Sequence, residues 1–192
     1  SRDHLDYHRD MDDYFLAKSR LFTDYLKISD KLDKVAVIYG EDPRGAELIA
    51  KVRSVGLDVW SYGQGRQWDV HPLKVATDVA GLRGIAQARE TKIEFESSLI
   101  GAANLQNILG AIGVACALGL NADAVAQGIR RLKTVPGRLE KVENSPGISI
   151  LVDYAHTPDA LLNVLATIKN LRRGHEQIIT VVGCGGDRDK TK

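Results

Sequence analysis

Asp153, Tyr154 and His156 stand just past a short apolar run, Ile148–Val152, and just ahead of Thr157-Pro158. The run reads as a buried strand. Thr157 and Pro158 fit the N-cap and first position of a helix ending near Leu171. Ligands of open α/β sheets bind outside the carboxyl ends of strands, against helix N-termini. An acid and a histidine in that turn can hold a ligand, or simply face water in an ordinary strand-to-helix connection. Lys18 is a second candidate. It falls on the apolar stripe Met11, Tyr14, Phe15, Leu21, Phe22, Tyr25 and Leu26 of a helix that starts after Asp10. Burial lowers an amine's pKa and increases its neutral, nucleophilic fraction. Such a lysine can be catalytic, or combine with carbon dioxide to give a carbamate, an oxygen ligand suited to Mg²⁺. The plainer reading is a stem that packs while its amine reaches water. Asn104 and Asn107 share the first turn of another helix. Each carboxamide offers both a donor and an acceptor, enough to read an adenine edge, and each can equally be capping or first-turn filler. The loop Gly183-Cys184-Gly185-Gly186-Asp187-Arg188-Asp189-Lys190 permits close backbone approach, and Arg188 can pair with a carboxylate or phosphate. No Walker A sequence occurs in the chain.

These residues require an α/β frame. Val35–Tyr39 reads as a strand, Arg44–Val55 as a helix and Leu57–Trp60 as a strand, a rhythm that predicts a parallel sheet. Val75–Val79, Leu82–Ala88 and Ile93–Ile100 predict an antiparallel patch, with His71 in a loop and without a role. Asn104 to about Leu118 is a strong helix with Leu105, Ile108, Leu109, Ile112 and Cys116 inward. Asn121 caps the next, Asp123–Leu132, with Val125, Ile129 and Leu132 inward. Pro136-Gly137 then breaks the chain, followed at once by Arg138. Helix Pro158–Leu171 should bury Leu161, Leu162, Leu165 and Ile168, and Gln177–Val182 reads as a further strand.

Composition narrows the classes. The 192 residues are 44% hydrophobic, enough for one large core or one and a fraction. Twenty-six basic residues balance 25 acidic ones, which gives no electrostatic reason for nucleic acid or an anionic membrane. The most apolar run, Ile108–Leu120, is too short and too glycine-broken to span a bilayer. Cys116 and Cys184 have neither metal-ligand spacing nor a disulfide context, which fits a reduced cytoplasmic protein. The abrupt start and end suggest a fragment.

In order, the segments SRDHLDYH, YFLAKSRLF, GAANLQNILGA, VPGRLE, VDYAHTPDAL and GCGGDRDKTK resemble the Mur ligases of peptidoglycan synthesis. DYAHTPDAL and GCGGDRDK point to the branch that adds the third residue of the stem peptide. Nearly the whole chain is covered; residues 30–95 match loosely. The resemblance implies an α/β fold. Residues 1–136 would be the later part of a central ATPase domain, a mostly parallel sheet with an antiparallel patch. Residues 137–192 would be the start of a Rossmann-like C-terminal domain.

The resemblance also implies site roles. His4 and carbamylated Lys18 would ligate Mg²⁺. Asn104 and Asn107, the latter favoured, would lie at the adenine. Arg138 would contact ATP phosphates, and Asp153 and His156 would complete the nucleotide site on domain closure. Arg188 would hold the carboxylate of the incoming amino acid. The implied reaction is ATP-driven amide formation on UDP-N-acetylmuramoyl-L-alanyl-D-glutamate through an acyl phosphate. As the commoner case, meso-diaminopimelate is favoured over L-lysine as the amine, although the distinguishing Asp-Asn-Pro-Arg-type motif is absent and Arg188 is compatible with either. Tyr39-Gly40-Glu41-Asp42 departs from the family's Asn-x-Asp-Asp-like segment and receives no role. The 192 residues alone are expected to be inactive. A related ligase such as folylpolyglutamate synthase, or a structural subunit without ligase activity, are the alternatives.

Overall fold

The computed structural model describes residues 8–183 except 146 and 173. Helix α1 (Met11–Arg20) starts where its sequence dictates, with the Asp10 carboxylate accepting the Asp13 amide at 2.8 Å. It continues through a π-helical turn, Leu21–Tyr25, into α2 (Leu26–Ile28). Strand β1 (Val35–Tyr39), helix α3 (Pro43–Ser54) and strand β2 (Asp58–Tyr62) follow. Asp42 caps α3 and Pro43 opens it. Then come β3 (Val70–Asp78), β4 (Gly81–Ala88), β5 (Thr91–Ser97), α4 (Ala102–Ala117) and α5 (Ala122–Arg131). Strands β6 (Glu140–Val142) and β7 (Ile150–Val152) and helix α6 (Pro158–Leu171) complete the described chain.

The sheet runs β1-β2-β3-β4-β5. The β1–β2 and β2–β3 pairs are parallel, the latter through Tyr62 and Val70 alone; β3–β4 and β4–β5 are long antiparallel ladders. This is the expected mixed α/β sheet, with its antiparallel part the longer. Alternation along β1 sends Ala36 and Ile38 to one face and Val37 to the other. Ala36 and Ile38 join Leu48, Ile49, Val52 and Val59 in a core under α3, to which Phe15, Phe22 and Leu26 are added. The larger core is built by Val70, Leu82, Ala86, Ile93 and Phe95 against Leu105, Ile108, Leu109 and Ile112 of α4 and Val125 of α5. Strands β6 and β7 form a separate two-stranded antiparallel sheet.

Several expectations need correction. Lys18 is exposed, and Ser19, only 2% exposed, holds the buried place on α1. The packed stripe is Phe15, Ser19, Phe22 and Leu26, with Leu21 turned outward. The Ser19 hydroxyl is satisfied by the Phe15 carbonyl at 2.8 Å, so the side chain can be buried. Strand β7 is not buried: Ile150 and Val152 are exposed, because among the described residues its sheet has two strands. Residues 177–182 pair with no strand among the described residues, and Ile179 and Val181 are solvated. Leu132 and Leu162 are exposed as well. His71 lies within β3 rather than a loop, its Nδ1 2.8 Å from the Trp68 carbonyl.

Candidate functional site

Helix α4 carries two different stripes. Gln106, Gly110 and Gly113 face β1 and β2. A Cβ on Gly113 would lie 3.0 Å from Val37 Cγ1, and one on Gly110 3.0 Å from Tyr62 Cζ. Asn104, Asn107, Ile108 and Ala111 face a slot shared with Gly128, Ile129 and Leu132 of the α5 region and with Val135. The slot is about 220 Å³, apolar along most of its wall, and completed by Ser97 and Leu99. Pockets for drug-sized ligands run about 300–1,000 Å³. This one suits a single planar ring system rather than a whole nucleotide. Leu132 is therefore outside the core for a reason: it lines the open slot.

Asn104 is buried and Asn107 exposed. Neither caps α4, whose N-cap is Gly101. Asn104 Nδ2 donates to the Ile100 carbonyl at 2.8 Å, and its Oδ1 accepts from Asn107 Nδ2 at 3.3 Å. Asn104 thus orients Asn107. The Asn107 oxygen has no partner among the described residues and remains an acceptor at the slot.

The second group lies where β7 meets the Pro-Gly break. Asp153 Oδ2 accepts from the Leu139 amide at 2.8 Å and Oδ1 from the Ala155 amide at 2.8 Å. The Tyr154 amide donates to the Gly137 carbonyl at 2.8 Å. Leu139 is held at φ +47°, an uncommon conformation for a branched residue. These bonds fix the backbone on both sides of Arg138. Its guanidinium is exposed and makes no ion pair or side-chain hydrogen bond among the described residues. Asp153 has spent one bond per oxygen on backbone and keeps lone pairs for a ligand. His156 Nδ1 lies 2.9 Å from the Tyr154 carbonyl, and the two rings meet edge-on at 5.3 Å. That contact makes Nδ1 the donor in the neutral ring and leaves Nε2 as acceptor.

On α1, Lys18 Nζ sits 5.5 Å from the Tyr14 ring centroid. His8 approaches Asp13 at 3.5 Å. His4 and Arg188 lie outside the described residues. No group of three or more His, Cys, Asp or Glu side chains comes together among the described residues. Of the two expected Mg²⁺ donors only Lys18 is described, and as a free amine it is not an oxygen ligand. The described residues do not make a magnesium site by themselves.

Sequence reasoning missed a third cluster. Gln106 Nε2 donates to Tyr39 Oη at 3.0 Å, Tyr39 Oη to Glu41 Oε2 at 3.1 Å, and Glu41 Oε1 accepts the Gln64 and Gly65 amides at 2.7 and 3.0 Å. Desolvation, then the bond to Glu41, raises the Tyr39 phenol above its ordinary pKa. The signal was the departure from the Asn-x-Asp-Asp-like pattern at residues 39–42.

The mixed sheet, its helix-lined slot and the following small sheet define an α/β protein. Residues 1–115 match the Mur ligase middle domain, and residues 137–192 match the Mur ligase glutamate ligase domain. The chain belongs to the Mur ligase family. It is 48% identical over 193 residues to a UDP-N-acetylmuramoyl-L-alanyl-D-glutamate--2,6-diaminopimelate ligase from Geobacter metallireducens, and 41% over 196 residues to one from Nostoc sp.. All of this chain is covered in both, but only 37% and 38% of those proteins. A solved ligase of the same description superposes with TM-score 0.73 at 31% identity, over 98% of this chain and 37% of its own. MurF from Acinetobacter baumannii shares the fold at 20% identity, TM-score 0.73, over 91% of this chain and 36% of its own. No helix among the described residues is long and apolar enough to cross a membrane.

Proposed function

We propose that this chain is part of an ATP-dependent amide ligase that joins meso-diaminopimelate to UDP-N-acetylmuramoyl-L-alanyl-D-glutamate in the cytoplasm. Similarity along the whole chain to ligases named for that reaction carries the reading. We divide the chain at Pro136, with residues 1–136 as the later part of the ATPase domain and 137–192 as the start of the C-terminal domain. The Pro136-Gly137 break and the separate β6–β7 sheet support that division.

In the proposed reaction a D-glutamyl carboxylate oxygen attacks the γ-phosphorus and ADP leaves. The amine then attacks the acyl carbon, loses a proton, and expels phosphate. The slot would hold adenine, with the Asn107 oxygen, unpartnered among the described residues, accepting from its exocyclic amine and Asn104 fixing Asn107. Arg138, without an ion pair among the described residues, would neutralise the transferring phosphoryl group. Asp153 and His156 would add acceptors when the domains close, and closure would keep water from the acyl phosphate. Mg²⁺, bound with ATP, would supply further charge neutralisation. His4 and Lys18, as carbamate, are proposed for it, and Arg188 for the amino-acid carboxylate.

The roles separate kinetically in a protein carrying this chain at the full length of its relatives. Asn107→Ala should raise KM for ATP about tenfold at little changed kcat, and Arg138→Ala should lower kcat about 100-fold or more. Equal, small effects from both would remove the nucleotide assignment.

A further inference from the structure

We propose that Tyr39 is a positioning residue for the nucleotide slot: its hydroxyl fixes the roll of α4 about its axis, and so the direction of Asn107. The inference rests on the ligase reading above. Successive helical residues are turned about 100° from one another. Gln106, which faces the sheet, and Asn107, which faces the slot, are therefore held at a fixed angle by one backbone. Core packing of Leu105, Ile108, Leu109 and Ile112 seats the helix, and a directional anchor at Gln106 refines its roll and with it the direction of Asn107.

The anchor is specific. Gln106 meets Tyr39 Oη at 3.0 Å, across 67 residues of sequence. The hydroxyl spends its single proton on Glu41 Oε2, so it is left to accept, and Gln106 donates. Glu41 is immobilised in turn by the Gln64 and Gly65 amides. The Tyr39 ring is backed by Tyr62 at 5.5 Å, the ring on which Gly110 sits. Nothing else polar could hold this stripe of α4, because its other two residues are Gly110 and Gly113. At the helix start the Gly101 N-cap makes no side-chain bond, and Asn104 holds the Ile100 carbonyl; Gln106 adds a second anchor on the opposite, sheet-facing side. Among the described residues, Gln106 is thus the side chain that gives the sheet-facing stripe a directional contact.

The test is a double-mutant cycle in the full-length protein, with KM for ATP as the readout. Tyr39→Phe keeps the ring and removes both hydrogen bonds. It should raise KM for ATP about three- to tenfold, the scale of one lost net hydrogen bond, with kcat at saturating ATP little changed. In an Asn107→Ala background the same substitution should add less than about twofold, because Tyr39 acts through Asn107. Gln106→Leu should reproduce the pattern and provides the cycle if Tyr39→Phe folds poorly. Additive effects, or a loss confined to kcat, overturn the role of Tyr39 and leave the ligase reading standing. A wild-type protein with no saturable ATP dependence overturns both.

Discussion

Gly101 joins α4 to the α6 region, and replacing it with alanine separates two costs. Its backbone is at φ +91°, ψ 160°, a region essentially reserved for glycine. Holding alanine there costs about 1–3 kcal/mol. The new Cβ would also stand 2.7 Å from Thr167 Cγ2, with Leu139 Cδ1 behind it at 3.5 Å. Overpacking of that kind costs about 1–3 kcal/mol. Gly101→Ala should therefore destabilise by about 2–6 kcal/mol in urea unfolding followed by circular dichroism. Thr167→Ser removes the offending methyl and keeps the hydroxyl bond to the Asn163 carbonyl. Added to Gly101→Ala, it should recover the contact share, about 1–3 kcal/mol, and leave the backbone share. No recovery would mean that Thr167 does not pack on Gly101. Complete recovery would mean that the backbone at 101 is unstrained.

Lys18→Ala should leave stability within about 0.5 kcal/mol, because the side chain is exposed. In the proposed full-length ligase it should lower turnover about 100-fold or more, with partial rescue by a small carboxylate; near-normal turnover would remove Lys18 from the metal proposal. Burial alone would raise the Asp69 carboxyl, but hydrogen bonds from Ser61 and the Arg89 charge outweigh it and hold its pKa below the usual range. Its stabilisation is present above the unfolded-state pKa and fades as pH falls through the folded one. Unfolding curves of wild type and Asp69→Asn should therefore converge in acid; a constant gap from pH 7 to pH 3 would contradict this. Leu109→Ala, at a fully buried position on α4, should cost about 2–5 kcal/mol in the same unfolding assay.

Capping and periodicity made most elements legible. Asp10, Asn121 and Thr157 all cap the helices expected of them, and α6 spans Pro158–Leu171 as read. Registers were harder. Phe15 fits a stripe through Lys18 and Leu21 or one through Ser19 and Phe22, and only packing against α3 selects the second. Strand β7 and residues 177–182 are apolar enough for a sheet interior, yet an apolar run carries no information about which neighbours cover it. Asn104 and Asn107 were visible as a pair, but the division of labour between them depends on the Ile100 carbonyl. The Tyr39–Glu41–Gln106 chain joins residues too far apart in sequence for spacing to reveal.

Phosphate release tests the central claim most directly. It should be measured for a protein carrying this chain at the full length of its relatives, with ATP, Mg²⁺ and UDP-N-acetylmuramoyl-L-alanyl-D-glutamate, offering meso-diaminopimelate or L-lysine. The account predicts release that depends on meso-diaminopimelate. Release with neither amino acid, from a folded protein, would contradict it.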